Sequence, residues 1–478
     1  MGEPRTTGRP SPELRRMLMP LALSQFICSF AGSNMNVMIN DISKDLNTSV
    51  EGVQLVITLF LLVMAALMIP GGKLTDRWGR KRCLTLGLTI YGIGALLSAV
   101  APGLGLLIIG NSILEGVGTA LLIPPVYILT TLLFTDLTSR ARAFGAISGM
   151  GGIGAAAGPL IGGLITTAIS WRAAFLFQAA VVGTIVVLSR RIQDPLPANP
   201  DCPFDTTGAV LSAVGLILAV AGIMQFDNNG WLALVPIGVG ALFIAAFFLH
   251  IRSRERAGRD ALLSTKLFAN RISNLGLITQ NVQWMMLIGI SFVVSAFLQV
   301  VRGYNAIQTG VIFTATTVGL LVSSLGAERF ARRREQRSLI VAGFVTTVIG
   351  VAVLLALVPD SPSPWAFAPG LLLIGLGLGI MLTPSVNIVQ SSFPEALQGE
   401  ISGLSRCVSN LGSSIGTALA GTILVADFPS ADQSWRVALA VVGVFGLVGL
   451  GAALCLPHRA ASRPVDTARP VPGGIPAT

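Results

Sequence analysis

Glu115 lies about eleven residues into an apolar stretch, 104–126, and is the only acid placed so deep in such a run. A run of that length can cross a bilayer, and an ionisable group near its middle is costly, faces a protein interior and is functional by default. The chemistry open to it is reversible proton binding. Asn111, Glu115 and Thr119 recur at intervals of four and share one helical face. The competing use is a permanently protonated acid that only hydrogen-bonds, as a glutamine would. Lys and Arg hold protons too tightly for such a task, and His250 and His458 sit at the edges of apolar runs. Asp41, Glu51 and Asp227 lie at run ends, where water keeps carboxyls near pH 4; Asp41 is the second candidate.

A further set of residues could bind or gate rather than carry protons. Gln25, Ser29, Ser33, Asn36 and Asn40 form a polar stripe at helical spacing inside the first run, a pattern that lines a wet cavity. Gln280, Gln283 and Trp284 in the ninth run, and Thr383, Asn387 and Gln390 in the twelfth, add to it; helix–helix hydrogen bonding is the alternative use. The fifth run carries Gly149, Gly158, Pro159, Gly162 and Gly163, and within it Gly154, Gly158 and Gly162, four apart, leave a face free of side chains on which another helix can pack closely. Pro159 removes a backbone hydrogen bond and favours a bend. Arg406 shares a face with Ser402, Ser409 and Ser413 and is expected to snorkel to the interface, with anion binding or gating as the minority reading. Between the second and third runs stands Gly72-Lys-Leu-Thr-Asp76-Arg77-Trp78-Gly79-Arg80-Lys81-Arg82. Topology accounts for its basic residues, but not for a lone Asp flanked by glycines.

The elements that must position these residues are membrane helices. The chain is 53% hydrophobic and 11% charged, with a mean hydropathy of +0.76, far from a soluble protein. Fourteen apolar runs lie between 17 and 456. With an even number, both termini share a side, and that side holds 27 of the 32 Lys and Arg. By the positive-inside rule both termini are cytoplasmic, in the cell membrane. The net charge of +10 and pI of 10.1 follow from topology, not from a nucleic-acid partner. Five cysteines in or beside the runs suggest no disulfide framework. The first run is too long for a signal peptide's core and is expected to remain as a span.

The runs repeat. Ile147-Ser148-Gly149 returns as Ile401-Ser402-Gly403, and Gly158 and Gly162 return as Gly412 and Gly416 at the same offset of 254. Asp76–Arg80 has a degraded echo at 328–332, and Ser170-Trp171-Arg172 returns as Ser434-Trp435-Arg436. The expected organisation is a tail (1–16), a six-helix bundle (17–190), linkers with two extra helices (191–273), a second six-helix bundle (274–456) and a disordered tail (457–478). Such repeats place a substrate site near the midplane, between the halves. No Gly-x4-Gly-Lys-Ser/Thr loop supports an ATP-driven pump, and no His-Glu-x-x-His or Ser/His pairing supports an intramembrane enzyme.

The eleven-residue string resembles the loop between helices 2 and 3 of major facilitator superfamily transporters. The glycine pattern of the fifth run resembles that superfamily's signature of proton-exchanging exporters. With two extra central spans, the chain resembles the fourteen-span drug:proton antiporter family from about residue 17 to 456. The resemblance implies an all-α polytopic membrane protein of major facilitator fold. It further implies export of small lipophilic or amphipathic compounds against protons by alternating access, with a proton-coupled symporter or facilitator as the rival. Asp76 and Arg80, with Arg140 or Arg142, would join a charge network that ties the cytosolic ends of the halves together, with Gly72 and Gly79 as the glycines of the same gating motif. The expected partners are a small molecule, protons and the bilayer, with a monomer as the working unit and no cofactor or metal. The chain departs from the family at Ala31, where an Asp is usual, and at Ser112, where an Arg is usual; Glu115 stands where the family has Gln.

Overall fold

In a computed structural model, residues 12–457 are described except 135–136, 193, 196–197, 201–202, 226–229, 332–334, 360, 362, 395–396 and 427–429. The expected terminal tail beyond 457, most of the N-terminal tail, Cys202 and Asp227 therefore lie outside the described residues, as do the side chains of Arg140, Arg142 and Glu328. All regular elements among the described residues are helical. The long helices are α1 (Pro12–Asn34), α2 (Val50–Trp78), α3 (Arg80–Ala99), α4 (Gly116–Leu133), α5 (Leu137–Ala168), α6 (Trp171–Ser189) and α7 (Thr206–Met224). They continue with α8 (Gly230–Arg256), α9 (Arg271–Ala296), α10 (Ala306–Ala331), α11 (Gln336–Leu357), α12 (Phe367–Gln390), α13 (Gln398–Val425) and α14 (Ala431–Leu454). Among the described residues twelve helices are long and apolar enough to cross a membrane, thirteen if the bent α5 counts as one span. The expected fourteen crossings are not reached by that measure.

Short-range chemistry fixes the helix ends. Ser49 caps α2 by accepting from the Gly52 N–H at 3.3 Å, and Ser170 caps α6 by accepting from Arg172 N–H at 3.2 Å. Asn270 accepts from the N–H groups of Ile272 and Ser273 at the start of α9. The expected loop at 72–82 is not a loop. Helix α2 runs through the motif to Trp78, and α3 begins at Arg80. Gly79 alone makes the turn, with φ +91°, a backbone region that residues with a β-carbon avoid.

The first and last six long helices pack alike. In the first half α1 lies on α5, α2 on α4, and α3 on both α4 and α6; in the last, α9 lies on α13, α10 on α12, and α11 on both α12 and α14. Glycines make the closest of these approaches: a β-carbon at Gly87 would meet the Gly118 carbonyl, and one at Gly94 the Gly110 carbonyl. The second half repeats this with Gly343 against Gly377 and Gly350 against Gly370. Between the halves, α2 packs on α13 and α5 on α10, a pair that the repeat also interchanges. Helices α7 and α8 pack on each other, and α7 lies over the α2–α13 seam, where Leu62, Val220 and Ala418 form a small buried cluster.

Candidate functional site

A cavity of about 110 Å³ lies between the halves, walled by α1, α2, α4 and α5 from one and α9, α10 and α13 from the other. The stripe on α1 faces it through Gln25, Ser29, Ser33 and Asn36. Trp284 and Pro159 also reach the wall. The rest is mostly apolar or weakly polar: Phe60, Met64, Met68, Ile123, Leu287, Phe313 and the small hydroxyls of Ser291, Ser409 and Ser413. Among the described residues Arg406 is the one charged residue on that wall. Its guanidinium lies 4.9 Å from the centre of the Tyr127 ring and donates to the Tyr127 hydroxyl. Tyr127 in turn donates to Gln25 Oε1 at 3.2 Å. So Arg406 does not snorkel to an interface. It reaches from α13 across to α4, where the Tyr127 ring and hydroxyl meet it.

Asn40, Thr383 and Gln390, expected on the wall, do not line it, and four further expected residues are also elsewhere. Gln280 is buried between α9 and α13, where its Oε1 accepts from Ser405 at 2.7 Å. Gln283 is buried with neither amide atom bonded. Asn387 is exposed, off the cavity. Asn111 is turned into the first half beside Glu115, also without a side-chain partner. Helix periodicity gave each of these a face, but the neighbouring helix decides whether that face is cavity or contact.

Glu115 itself is fully buried and behind the wall. It ends a π-helical segment, Ile108–Glu115, that leads into α4. Wide turns of this kind are rare and gather at functional places. Within the segment Gly110 lies against Gly94 of α3, so close that a β-carbon on either would meet the other's carbonyl oxygen. Neither carboxyl oxygen makes a hydrogen bond; Asn111, Tyr91 and Ser98 are its polar surroundings. Tyr91 donates instead to Gln178 of α6 at 2.5 Å. On the cavity side, Thr119 donates to the Glu115 carbonyl at 2.7 Å, and Cys28, which does line the wall, neighbours Thr119. Asp41 is half-buried in a short helix, Ile39–Asp45, beyond the 3₁₀ turn that follows α1.

The glycine face of α5 divides its work. β-Carbons at Gly154 and Gly158 would collide with α1 at Phe26 and Ser33, and one at Gly162 would come within 3.0 Å of Asn34. Gly163 instead faces the Ala306 carbonyl of the other half, and the Pro159 carbonyl faces Gly310 there. Gly149 is exposed and meets nothing. The helix bends by 41° between Ala143–Ala155 and Ala157–Ala168. Pro159 explains the position, since its ring displaces the carbonyl four residues earlier, at Ala155.

The halves are tied at both ends of the cavity. At the end where α2 meets α3, Lys73 Nζ pairs with Glu400 Oε1 at 2.9 Å, and Glu400 Oε2 accepts from the Ser264 N–H at 2.9 Å. Nearby, Arg80 pairs with Asp76 at 3.1 Å within one half, while Asp194 accepts from the N–H groups of Arg80 and Lys81. Asp76, Arg80 and Gly79 thus brace the turn, and Gly72 lies beside Pro124. The cross-half ion pair belongs to Lys73 and Glu400, which the motif reading missed. One signal was available: the loop carrying Glu400 is the only one on its side with no Lys or Arg. At the far end α1 breaks into a 3₁₀ turn, Met35–Met38, freeing the Asn36 carbonyl to accept from Ser295 and from Gln299 Nε2 at 2.7 Å. Gln299 also accepts from Asn40 N–H at 3.1 Å. Gln54 donates to the carbonyls of Thr417 and Ala418, and Ser414 to that of Thr58.

Comparison with known proteins agrees with this architecture. The chain is 29% identical over 420 residues to puromycin resistance protein pur8 of Streptomyces alboniger, covering 86% of this chain and 82% of that protein. It is 27% identical to the multidrug efflux pump LfrA of Mycolicibacterium smegmatis, covering 98% and 93% of the two chains. A solved peptide transporter POT in complex with sulfate superposes with a TM-score of 0.67 at 17% identity, covering 92% and 95%. At that identity the likeness concerns the fold alone. The Major Facilitator Superfamily model matches residues 21–417. Two repeated bundles around a shared cavity, and a family match over most of the chain, have one reading: this chain belongs to the major facilitator superfamily.

Proposed function

We propose that this transporter exports small amphipathic compounds in exchange for protons, by alternating access, from a cell membrane that it crosses fourteen times with both termini in the cytoplasm. The observation that carries the reading is the cavity between the halves, closed by separable contacts at each end. Relatives bearing the names of puromycin resistance and multidrug efflux favour outward transport. The ion pair Lys73–Glu400 would close the cytoplasmic end, and the hydrogen bonds of Gln299 and Gln54 the outer end. Opening one set while the other holds exposes the cavity to one side at a time.

Glu115 is the proposed proton carrier, with Asp41 as the alternative. Ionising a carboxyl without partners in such an enclosure costs free energy, so its proton leaves only when a rearrangement wets the site. Because it is fully buried and off the cavity wall, substrate and proton do not compete for the same atoms. Coupling would pass through movement of α4, which the π-helical segment allows to rewind. The test is a compound-resistance panel in a pump-deficient host, with everted membrane vesicles from the same cells. Extrusion accelerated by an inward proton gradient supports export; accumulation driven by that gradient would support the symporter instead.

A further inference from the structure

Resting on that reading of the cavity as a substrate site, we propose that it selects amphipathic organic anions, held by Arg406, over cations of the same shape. Among the described residues the wall holds one charge, and it is positive. Arginine stays protonated under all physiological conditions and presents several donors in a fixed fork. Among the described residues no carboxylate pairs with Arg406, and Glu115 is fully buried and off the wall. The partners Arg406 does have are neutral: the face of Tyr127 and its hydroxyl. They steady a cation but do not neutralise it.

A half-buried guanidinium facing an apolar hollow is an incomplete ion pair. A carboxylate, sulfonate or ionised phenol would complete it with charge-assisted hydrogen bonds, while Ser409 and Gln25 offer further polar contacts beside it. Phe60, Met64, Phe313 and Trp284 supply the surface for an aromatic body. A cation would instead meet like charge at short range with nothing acidic on the wall to offset it.

The test uses the full-length protein in lipid nanodiscs and two fluorescent probes that share one ring system, anthracene-9-carboxylate and 9-anthracenylmethylammonium. Binding is read by energy transfer from tryptophan, corrected against empty nanodiscs. The anion is expected to bind about ten-fold or more tightly than the cation. Arg406→Lys should keep the preference and Arg406→Gln should erase it. Ser409→Glu, which places a carboxylate on the wall one turn from Arg406, should erase it as well and guards against a misfolded Arg406 variant. Equal or tighter binding of the ammonium, an unchanged preference in Arg406→Gln, or binding of neither probe would overturn the proposal. Gradient-driven export of cations without anion binding would overturn it and leave the export reading standing. Anion binding without any gradient-driven flux would support the ligand class and remove the export reading.

Discussion

Glu115 is a single acid whose value lies in its enclosure. Its neighbours Asn111, Tyr91 and Ser98 could each approach a carboxylate, yet none completes a hydrogen bond, so the site is poised rather than satisfied. Glu115→Gln should abolish extrusion driven by a proton gradient while substrate binding and downhill exchange continue. The measurement is dye efflux from proteoliposomes with and without an imposed gradient. Wild-type gradient-driven rates in that variant would move the coupling site, with Asp41 next in line. Asp76→Asn belongs to the same scale. By removing the partner of Arg80 it should lower transport more than it lowers folded protein in the membrane, as compared by initial rate and by size-exclusion yield. Near-normal transport would leave Asp76 a structural brace of the Gly79 turn.

Helix α5 shows how an element is built around what is missing from it. Its glycines let α1 settle against backbone, and Pro159 accounts for its bend. Gly158→Leu should insert normally but fail to transport, since the added side chain occupies the place of Ser33; normal efflux by that variant would show that α1 and α5 do not need their close contact. A second element is held by Asp205, almost fully buried at the start of α7. Burial works against its charge. The Gly208 N–H, His250 at 2.9 Å and the Leu262 N–H outweigh that and keep its carboxyl below the usual range. A depressed folded value means stability that is present above the unfolded value of about 3.9 and is lost as pH falls through the lower folded one. Asp205→Asn should therefore lower the melting temperature at pH 7, with a cost on the order of 1–3 kcal/mol for the disrupted buried bonds. The gap from wild type should narrow as the pH is taken from 5 toward 3. A constant gap across that range would mean that the charge contributes nothing.

At the scale of the whole molecule, the two ends of the cavity are closed by different chemistry. One end uses a half-exposed ion pair, Lys73–Glu400, and the other uses amide and hydroxyl bonds to backbone carbonyls. Cys28 lies on the cavity wall with little exposure and can report which end is open. With the other cysteines replaced by serine, Lys73→Gln should increase labelling of Cys28 by a membrane-impermeant maleimide from the cytoplasmic side. Gln299→Ala should increase it from the opposite side. An exposed pair is worth at most about 1 kcal/mol, so the first change should be no more than roughly five-fold, and the second should be larger because its bonds are buried. Equal labelling from both sides in both variants would mean that these contacts are not the closures.

The membrane class, the repeat, the superfamily and the polar face of α1 could all be read from the sequence, because each is carried by local periodicity or by a motif of fixed spacing. Gln25, Ser29, Ser33 and Asn36 keep their helical register whatever packs nearby, and their face proved to be the cavity. Helix α2 running on to Trp78 was not legible, since charge marks a loop only on average and Gly79 alone can turn the chain. Nor was the position of Glu115 relative to the cavity. Depth along a helix follows from counting residues, but the neighbour on each face depends on helices far away in sequence. Lys73 and Glu400 are 327 residues apart, and Arg406 and Tyr127 are 279 apart. No pattern within one helix encodes such pairs. They exist because two bundles, each folded by its own close glycine contacts, come together across a space that neither bundle contains.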